Sequence, residues 1–270
     1  MMLKKEEYIE QEFFFRTFRE RLDQGYTCQE ILLGMKNELL DVSSLPIATE
    51  IILTEVKHSG KMSFAMQRLL HYFTPFQVFV VKEAEKEEGK FDFRIALQVL
   101  EREAKFRSNS PSPQGAFFYQ FETLSRNRLG FDYGLEAIAN DPIFDENWRF
   151  WINVILRRQV GFIDIAKLVY VRSKFYKFKD NRLLLPKLFN EQEGRIAYAS
   201  IGHDPLFLFS ALSRHLGYPS VPRLKLLNEN ITFAFAEIQK KIELLENKVT
   251  LIQEELKGGI NLERFYVKSS

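Results

Sequence analysis

Basic and aromatic residues are interleaved between positions 157 and 182. The members of this segment are Arg157, Arg158, Arg172, Lys174, Phe175, Tyr176, Lys177, Lys179 and Arg182. Such side chains hold phosphates and stack on bases, or bind an anionic membrane surface. A helix end with solvated lysines and inward-facing rings has the same composition, so both interpretations stay open. The formal net charge of the chain is only +2, so any affinity for nucleic acid must be local.

Residues typical of catalytic and metal sites are sparse in this sequence. The four histidines, at positions 58, 71, 203 and 215, form no i,i+4 pair, and the single cysteine, Cys28, cannot build a thiolate metal site. Neither of the glycine-rich motifs that cradle nucleotide phosphates occurs. The segment Gly202–Pro205 has the composition of a turn, and no nucleophile accompanies its histidine. We therefore expect a non-enzymatic protein without a cofactor or a metal.

Two short motifs each recur further along the chain, and the number of residues between the copies is the same for both. The segment Glu85–Phe91 returns as Asn190–Ile196, and the pair Gly25–Tyr26 returns as Gly130–Phe131. Two matched anchors with one offset predict an internal duplication. Two copies of a small unit favour a scaffold or docking protein over an enzyme.

The acidic stretch of each copy supplies a candidate binding site. Its residues are Glu87, Glu88 and Gly89 in the first copy, and Glu191, Glu193 and Gly194 in the second. Because glycine often ends a helix, we expect these carboxylates at helix C-termini. Acidic groups there oppose the helix dipole by roughly 0.3 to 1 kcal/mol each. This conflict motivates the hypothesis that they bind a cation or a basic partner; the alternative is ordinary solvated surface.

Local start and stop signals predict an all-α fold. Gly25 and Gly60 suit helix ends, and N-caps are expected at Thr27, Ser63, Thr74 and Asp92. Strand-like alternation is not sustained in the first half, where these signals predict about six helices. The short loops favour two related antiparallel helical bundles.

Proline- and serine-rich segments set the expected boundaries, because such composition favours an extended linker. The predicted parts are bundle one at 1–106, a Ser/Pro linker at 107–115, bundle two at 116–215, a second linker at 216–230, a coiled coil at 231–257 and a tail at 258–270.

Apolar residues alternate at spacings of four and three near the C-terminus, which predicts a coiled coil. The seam consists of Ile231, Phe235, Ile238, Ile242, Leu245, Val249, Ile252 and Leu256. Mixed Ile, Val and Leu at the core positions leaves dimer and trimer open, and the same helix could fold back on its own chain. We expect a homo-oligomer.

Several of these motifs together resemble a known family. Gly25 precedes a predicted helix, Gly60–Ala65 has a G-x-x-S-x-A-like form, and an acidic segment ends at Gly89. The second half offers Gly130, a segment at 161–166 and a second acidic segment at 191–196. In order and spacing they resemble the cytoplasmic domain of the inner-membrane platform protein of type II secretion and type IV pilus machines, which occurs twice per chain. The resemblance implies two six-helix bundles that dock machine components, including a cytoplasmic assembly ATPase, without catalysis.

Membrane signals are weak in the sequence. No apolar run approaches the roughly 18 to 20 residues that span a bilayer, and residues 1–12 lack the apolar region of a signal peptide. We expect a cytoplasmic protein without a transmembrane segment, held at the inner membrane only through its partners. The expected function is a scaffold that docks assembly components and self-associates through its coil. The alternative is a nucleic-acid or anionic-surface binding module that uses residues 157–182.

Overall fold

A computed structural model of the chain describes residues 2–36, 38–39, 43–86, 91–157, 164–177 and 186–223. These residues form twelve α-helices and one isolated bridge between Ser173 and Phe189, with no named strand among them. The all-α fold expected from the sequence is therefore confirmed. The predicted coiled coil at 231–257 and tail at 258–270 lie outside the described residues.

Helices of the first half begin and end close to the predicted signals. They are α1 (Lys5–Asp23), α2 (Cys28–Lys36), α3 (Leu45–Ser59), α4 (Ser63–Arg68), α5 (Pro75–Ala84) and α6 (Phe93–Ser108). Gly60 adopts the left-handed conformation that ends α3, and Thr74 forms a capping box with Gln77 at the start of α5. Asp92 accepts hydrogen bonds from two backbone amides of α6. Ser63 begins α4 instead of capping it, because its N-cap is Met62.

The second half contains six further helices among its described residues. They are α7 (Pro113–Asn127), α8 (Phe131–Ala139), α9 (Glu146–Arg157), α10 (Ile165–Val171), α11 (Glu191–Ala199) and α12 (Pro205–Leu216).

The pairing of helices is similar in the two halves. In the first half α1 packs on α2, α2 on α3, α4 on α5, α5 on α6, and α6 returns to α1. In the second half α7 packs on α8, α8 on α9, α10 on α11, α11 on α12, and α12 returns to α7. The loop after α1 holds Gly25 and the loop after α7 holds Gly130, so this sequence anchor falls at equivalent positions.

Helix α7 lies at the centre of the packing. Every residue from 115 to 124 is buried, which makes this helix buried on all sides. The ring of Phe117 packs within 6.5 Å of five other aromatic rings, measured between centroids. The Phe121 ring extends this cluster through contacts with the rings of Phe131 and Phe209. Much of the phenylalanine in this sequence therefore serves the core.

A buried charge network joins α6 to α7 and to the loop after α8. Arg107, only 3% exposed, donates from Nε and Nη2 to Glu103 Oε1 at 3.0 and 2.8 Å, and from Nη2 to Asp141 Oδ2. Gln120 Nε2 donates to both carboxylates, at 3.1 Å to Glu103 and 2.8 Å to Asp141. The two carboxylates raise the pKa of Arg107 despite its burial. Removing Arg107 would leave two buried carboxylates without a counter-charge, which costs about 3 to 5 kcal/mol.

The segment 107–115 is a helix junction, which corrects the expected extended linker. Arg107 and Ser108 belong to the last turn of α6, and Ser112 accepts a hydrogen bond from the Gly115 amide as the N-cap of α7. Pro113 occupies the first turn of α7, a position that proline favours. Serine and proline therefore start a helix here. One compact unit contains both halves, and the described residues up to 223 belong to it.

The described part of the predicted linker 216–230 packs on the first unit and is not a free connector. After the left-handed Gly217, the Tyr218 hydroxyl lies 2.8 Å from Glu122 Oε2 and 2.9 Å from the Phe209 carbonyl oxygen. Further on, Arg102 donates to the Ser220 carbonyl at 2.6 Å. Residues 217–223 thus form a strap over α7, and burial together with the Glu122 carboxylate raises the pKa of Tyr218.

The Tyr218→Phe variant tests this strap. We expect it to lower the free energy of unfolding by about 1 to 2 kcal/mol, because Glu122 loses a buried hydrogen-bond partner. The free energy is measured by urea denaturation at pH 7. The matched control is Tyr133→Phe, whose ring is 71% exposed and which should change little. Equal stability of the two variants would contradict the role given to the Tyr218 hydroxyl.

The same hydroxyl predicts a dependence on alkaline pH. The folded-state pKa of Tyr218 is raised, so its contribution is complete below the ordinary tyrosine pKa of about 10 and is lost as the pH rises above that value. Wild-type urea midpoints should fall between about pH 10 and 11. The fall should be smaller in Tyr218→Phe; an identical fall would assign the effect to other groups.

Candidate functional site

The acidic end of α5 caps two other helices. Glu85 accepts hydrogen bonds from the backbone amides of Met62 at 2.5 Å and Ser63 at 3.1 Å, where α4 begins. Glu83 accepts from the Gly130 amide at 3.4 Å, where α8 begins, and from Lys86 Nζ at 2.5 Å. Carboxylates at helix N-termini are favourable because they complement the helix dipole. These acidic residues oppose the dipole of α5 at its C-terminal end. Their hydrogen bonds to the first amides of α4 and α8 offset that cost.

The second acidic stretch begins a helix, which corrects the expectation that it ends one. Glu191 and Glu193 lie in the first turn of α11, and Glu193 forms a capping box with Asn190. Glu193 is only 2% exposed, so it is not accessible to a basic partner. Gly194 is needed for close packing, since a Cβ atom there would overlap Ser173 Oγ.

The acidic anchors of the proposed repeat fall at different places in the two halves. Glu85 is the C-cap of α5, whereas Asn190 is the N-cap of α11. Only the Gly25–Gly130 anchor therefore agrees with the repeated helix order. Glu87, Glu88 and Gly89 lie outside the described residues, so their binding role stays a prediction.

The basic residues at 157–182 are only partly on the surface. Arg157, Lys174 and Lys177 are exposed, whereas Arg172 is buried, so it cannot belong to a surface patch. The sequence assigned Arg172 to the basic surface patch, and its burial corrects that assignment. The residue occupies the C-cap position of α10. Arg158, Lys179 and Arg182 lie outside the described residues.

Aromatic side chains around Tyr170 form a partly exposed cluster. The Tyr170 ring lies 5.0 Å from Tyr176, 5.0 Å from Tyr198 and 6.1 Å from Phe175, between centroids. The guanidinium of Arg195 lies 5.6 Å from the centre of the Phe175 ring. The sequence predicted only Phe175 and Tyr176 as members of a binding site. Tyr170 and Tyr198 lie in the flanking helices α10 and α11, outside the basic-aromatic pattern.

A groove between α5 and α8 is a concave site that the sequence did not reveal. Its volume is about 460 Å³, within the range of ligand pockets. One wall is a face of α5 with residues at helical spacing, and the other is a face of α8. The lining residues are Gln67, Leu70, Pro75, Val78, Phe79, Lys82, Glu83, Lys86, Tyr133, Glu136, Ala137 and Asn140.

The floor of this groove is apolar and its walls differ in charge. Val78 and Phe79 are buried beneath it, while Leu70 and Tyr133 are 51% and 71% exposed at its rim. Exposed Lys82 belongs to the α5 wall, and exposed Glu136 belongs to the α8 wall. Its position between the two halves explains why no single segment predicts it.

Comparisons with known proteins add no identification. No family model matches the chain, and neither the curated proteins nor the solved structures include a significant match. Within the described ranges, no helix is both long and apolar enough to cross a membrane. The same ranges contain no group of three or more His, Cys, Asp or Glu side chains arranged to hold a metal ion.

The Glu85→Ala variant tests the capping role of α5. We expect it to lower the free energy of unfolding by about 1 kcal/mol, because the first amides of α4 lose their acceptor. Thermal and urea denaturation measure this change. Glu20→Ala, which removes an exposed carboxylate from α1, should be nearly neutral. If the two variants lose the same stability, the carboxylate of Glu85 has no special role.

Proposed function

We propose that this chain is a non-enzymatic docking protein whose groove between α5 and α8 receives an amphipathic helix of a partner protein. The observation that carries this proposal is the pair of helix faces that line the groove. Each presents side chains at spacings of three or four, at positions 75, 78, 79 and 82 on α5 and 133, 136 and 137 on α8. Two such faces accommodate a third helix, as in other helix-in-groove interactions.

Charge complementarity defines the chemistry of the partner helix. Its apolar face would lie on Leu70, Phe79 and Tyr133, which would shield the exposed parts of the rim from water. An acidic side chain would face Lys82, and a basic side chain would face Glu136. Opposite charges on the two walls favour one orientation of the helix over its reverse.

The repeated helix pairing supports the wider proposal of a duplicated scaffold. The resemblance to secretion and pilus platform domains suggests components of such a machine as partners, including an assembly ATPase. We further propose that the coil at 231–257 causes self-association, which would present several grooves in one assembly and raise its avidity. This function requires no cofactor.

Site-specific photo-crosslinking tests the groove. A benzophenone amino acid replaces Tyr133 at the groove or Tyr26 away from it, in the full-length protein. We expect position 133 alone to crosslink a helical segment of a partner. The Leu70→Asp variant should reduce that crosslink about tenfold or more, because it introduces a charge into the apolar rim.

A second exposed leucine provides the matched control for this experiment. Leu33→Asp introduces the same charge at an exposed position on α2 and should leave the crosslink intact. The groove proposal is overturned if Leu70→Asp leaves partner binding unchanged, or if crosslinking is the same at positions 26 and 133.

The aromatic cluster around Tyr170 favours the alternative function of binding a nucleic acid or an anionic surface. Exposed Lys174 and Lys177 lie beside the partly buried rings of Phe175 and Tyr176. Cations next to rings that stack on bases are typical of single-strand binding sites.

Fluorescence anisotropy with a labelled oligo-dT and an RNA oligomer tests this alternative. Lys174→Gln with Lys177→Gln should weaken salt-sensitive binding, whereas Lys4→Gln with Lys5→Gln removes equal charge from an exposed region elsewhere and should not. Equal effects of the two pairs, or no binding at low salt, would reject it.

A further inference from the structure

Arg172 is a buried arginine without a counter-ion in the described structure. Only 5% of the residue is exposed, and its Nε and Nη2 atoms have no hydrogen-bond partner. These two nitrogens share one edge of the guanidinium plane, and their N–H bonds point in the same direction. That edge is one with which arginine binds a carboxylate or a phosphate through two parallel hydrogen bonds.

Arg107 shows how the same edge is satisfied elsewhere in this chain. Its Nε and Nη2 both donate to Glu103 Oε1, and the acidic neighbours raise its pKa. At Arg172, burial instead lowers the pKa. Both residues are largely shielded from solvent, and of the two only Arg107 has an acidic partner among the described residues. A buried guanidinium with an unfilled edge is costly, and an anion bound at that edge would remove the cost.

The backbone places a second cation next to this guanidinium. The Arg172 carbonyl accepts hydrogen bonds from the amides of Leu188 at 2.9 Å and Phe189 at 3.3 Å, which places the backbone of Lys187, the preceding residue, close to Arg172. The Lys187 ammonium donates to the Val171 carbonyl at 3.4 Å and lies 5.5 Å from the centre of the Tyr176 ring. Burial and the positive charge of Arg172 lower the pKa of Lys187.

We propose that Arg172 and Lys187 bind the phosphate group of a small ligand, with Arg172 donating both hydrogen bonds of its Nε–Nη2 edge to two phosphate oxygens. The lysine supplies a second positive charge close to Arg172. A dianionic phosphate complements two cations better than a singly charged carboxylate does. This inference is independent of the groove and of the docking function.

Binding of inorganic phosphate to the full-length protein provides the direct test. Isothermal titration calorimetry and thermal denaturation compare phosphate, sulfate and acetate at matched ionic strength. A nucleoside monophosphate is the fourth probe and separates a free phosphate from one carried on a larger ligand. We expect saturable binding of phosphate, with acetate much weaker. Tighter binding of the nucleotide than of phosphate would identify a phosphate monoester as the ligand.

Substitutions at Arg172 separate recognition from packing. Arg172→Lys keeps the charge but loses the two-nitrogen edge, so phosphate should bind about tenfold more weakly, the effect of one charge-assisted hydrogen bond. Arg172→Met should abolish phosphate binding and raise the Tm of the phosphate-free protein, because it removes an unpaired buried charge. The paired residue is the control, since Arg107→Met should lower the Tm.

Surface variants keep the test decisive if an Arg172 variant fails to fold. Lys187→Gln, at an exposed position, should weaken phosphate binding several-fold, whereas Lys57→Gln, at an exposed position on α3, should leave it unchanged. The proposal is overturned if phosphate and acetate have equal effects, or if Lys187→Gln binds phosphate as tightly as Lys57→Gln. A lower Tm of phosphate-free Arg172→Met, with phosphate binding retained, would assign Arg172 to packing alone.

Discussion

The buried ionic network around Arg107 is the interaction on which the joining of the two halves depends. The arginine ends α6, Gln120 belongs to the central helix α7, and Asp141 comes from the loop after α8. Charged groups of this burial are tolerated only when they are paired and hydrogen-bonded, so each contributor fixes the position of the others. Apolar packing around Phe117 buries hydrophobic surface, whereas the network specifies how α7 is oriented against α6.

Helix termini explain most of the remaining polar structure. Glu85 stabilises the start of α4, Glu83 stabilises the start of α8, and Asn190 with Glu193 stabilises the start of α11. In each case a carboxylate accepts hydrogen bonds from amides that the helix itself leaves unpaired. Glu191 and Glu193, two of the acidic residues that suggested a partner site, therefore have partners within the chain.

Local signals were enough to predict the fold class and many helix boundaries. The cap at Thr74 and the helix end at Gly60 depend only on neighbouring residues, so the sequence contains the whole signal. Ser112 and Pro113 were interpreted wrongly because the same residue types favour an extended linker and a helix start. The burial of Arg172 and the groove were not predictable, since both depend on contacts between distant segments. No motif within a single segment marks either of them.

The hydrogen bond from the Gly130 amide to Glu83 has a thermodynamic consequence for recognition. It fixes the start of α8 to the end of α5, so the two walls of the groove are held together before any ligand arrives. A recess that is already formed loses little conformational entropy on binding. The entropic cost of association then falls on the incoming segment, which favours ligands that are helical before they bind over those that must fold on arrival.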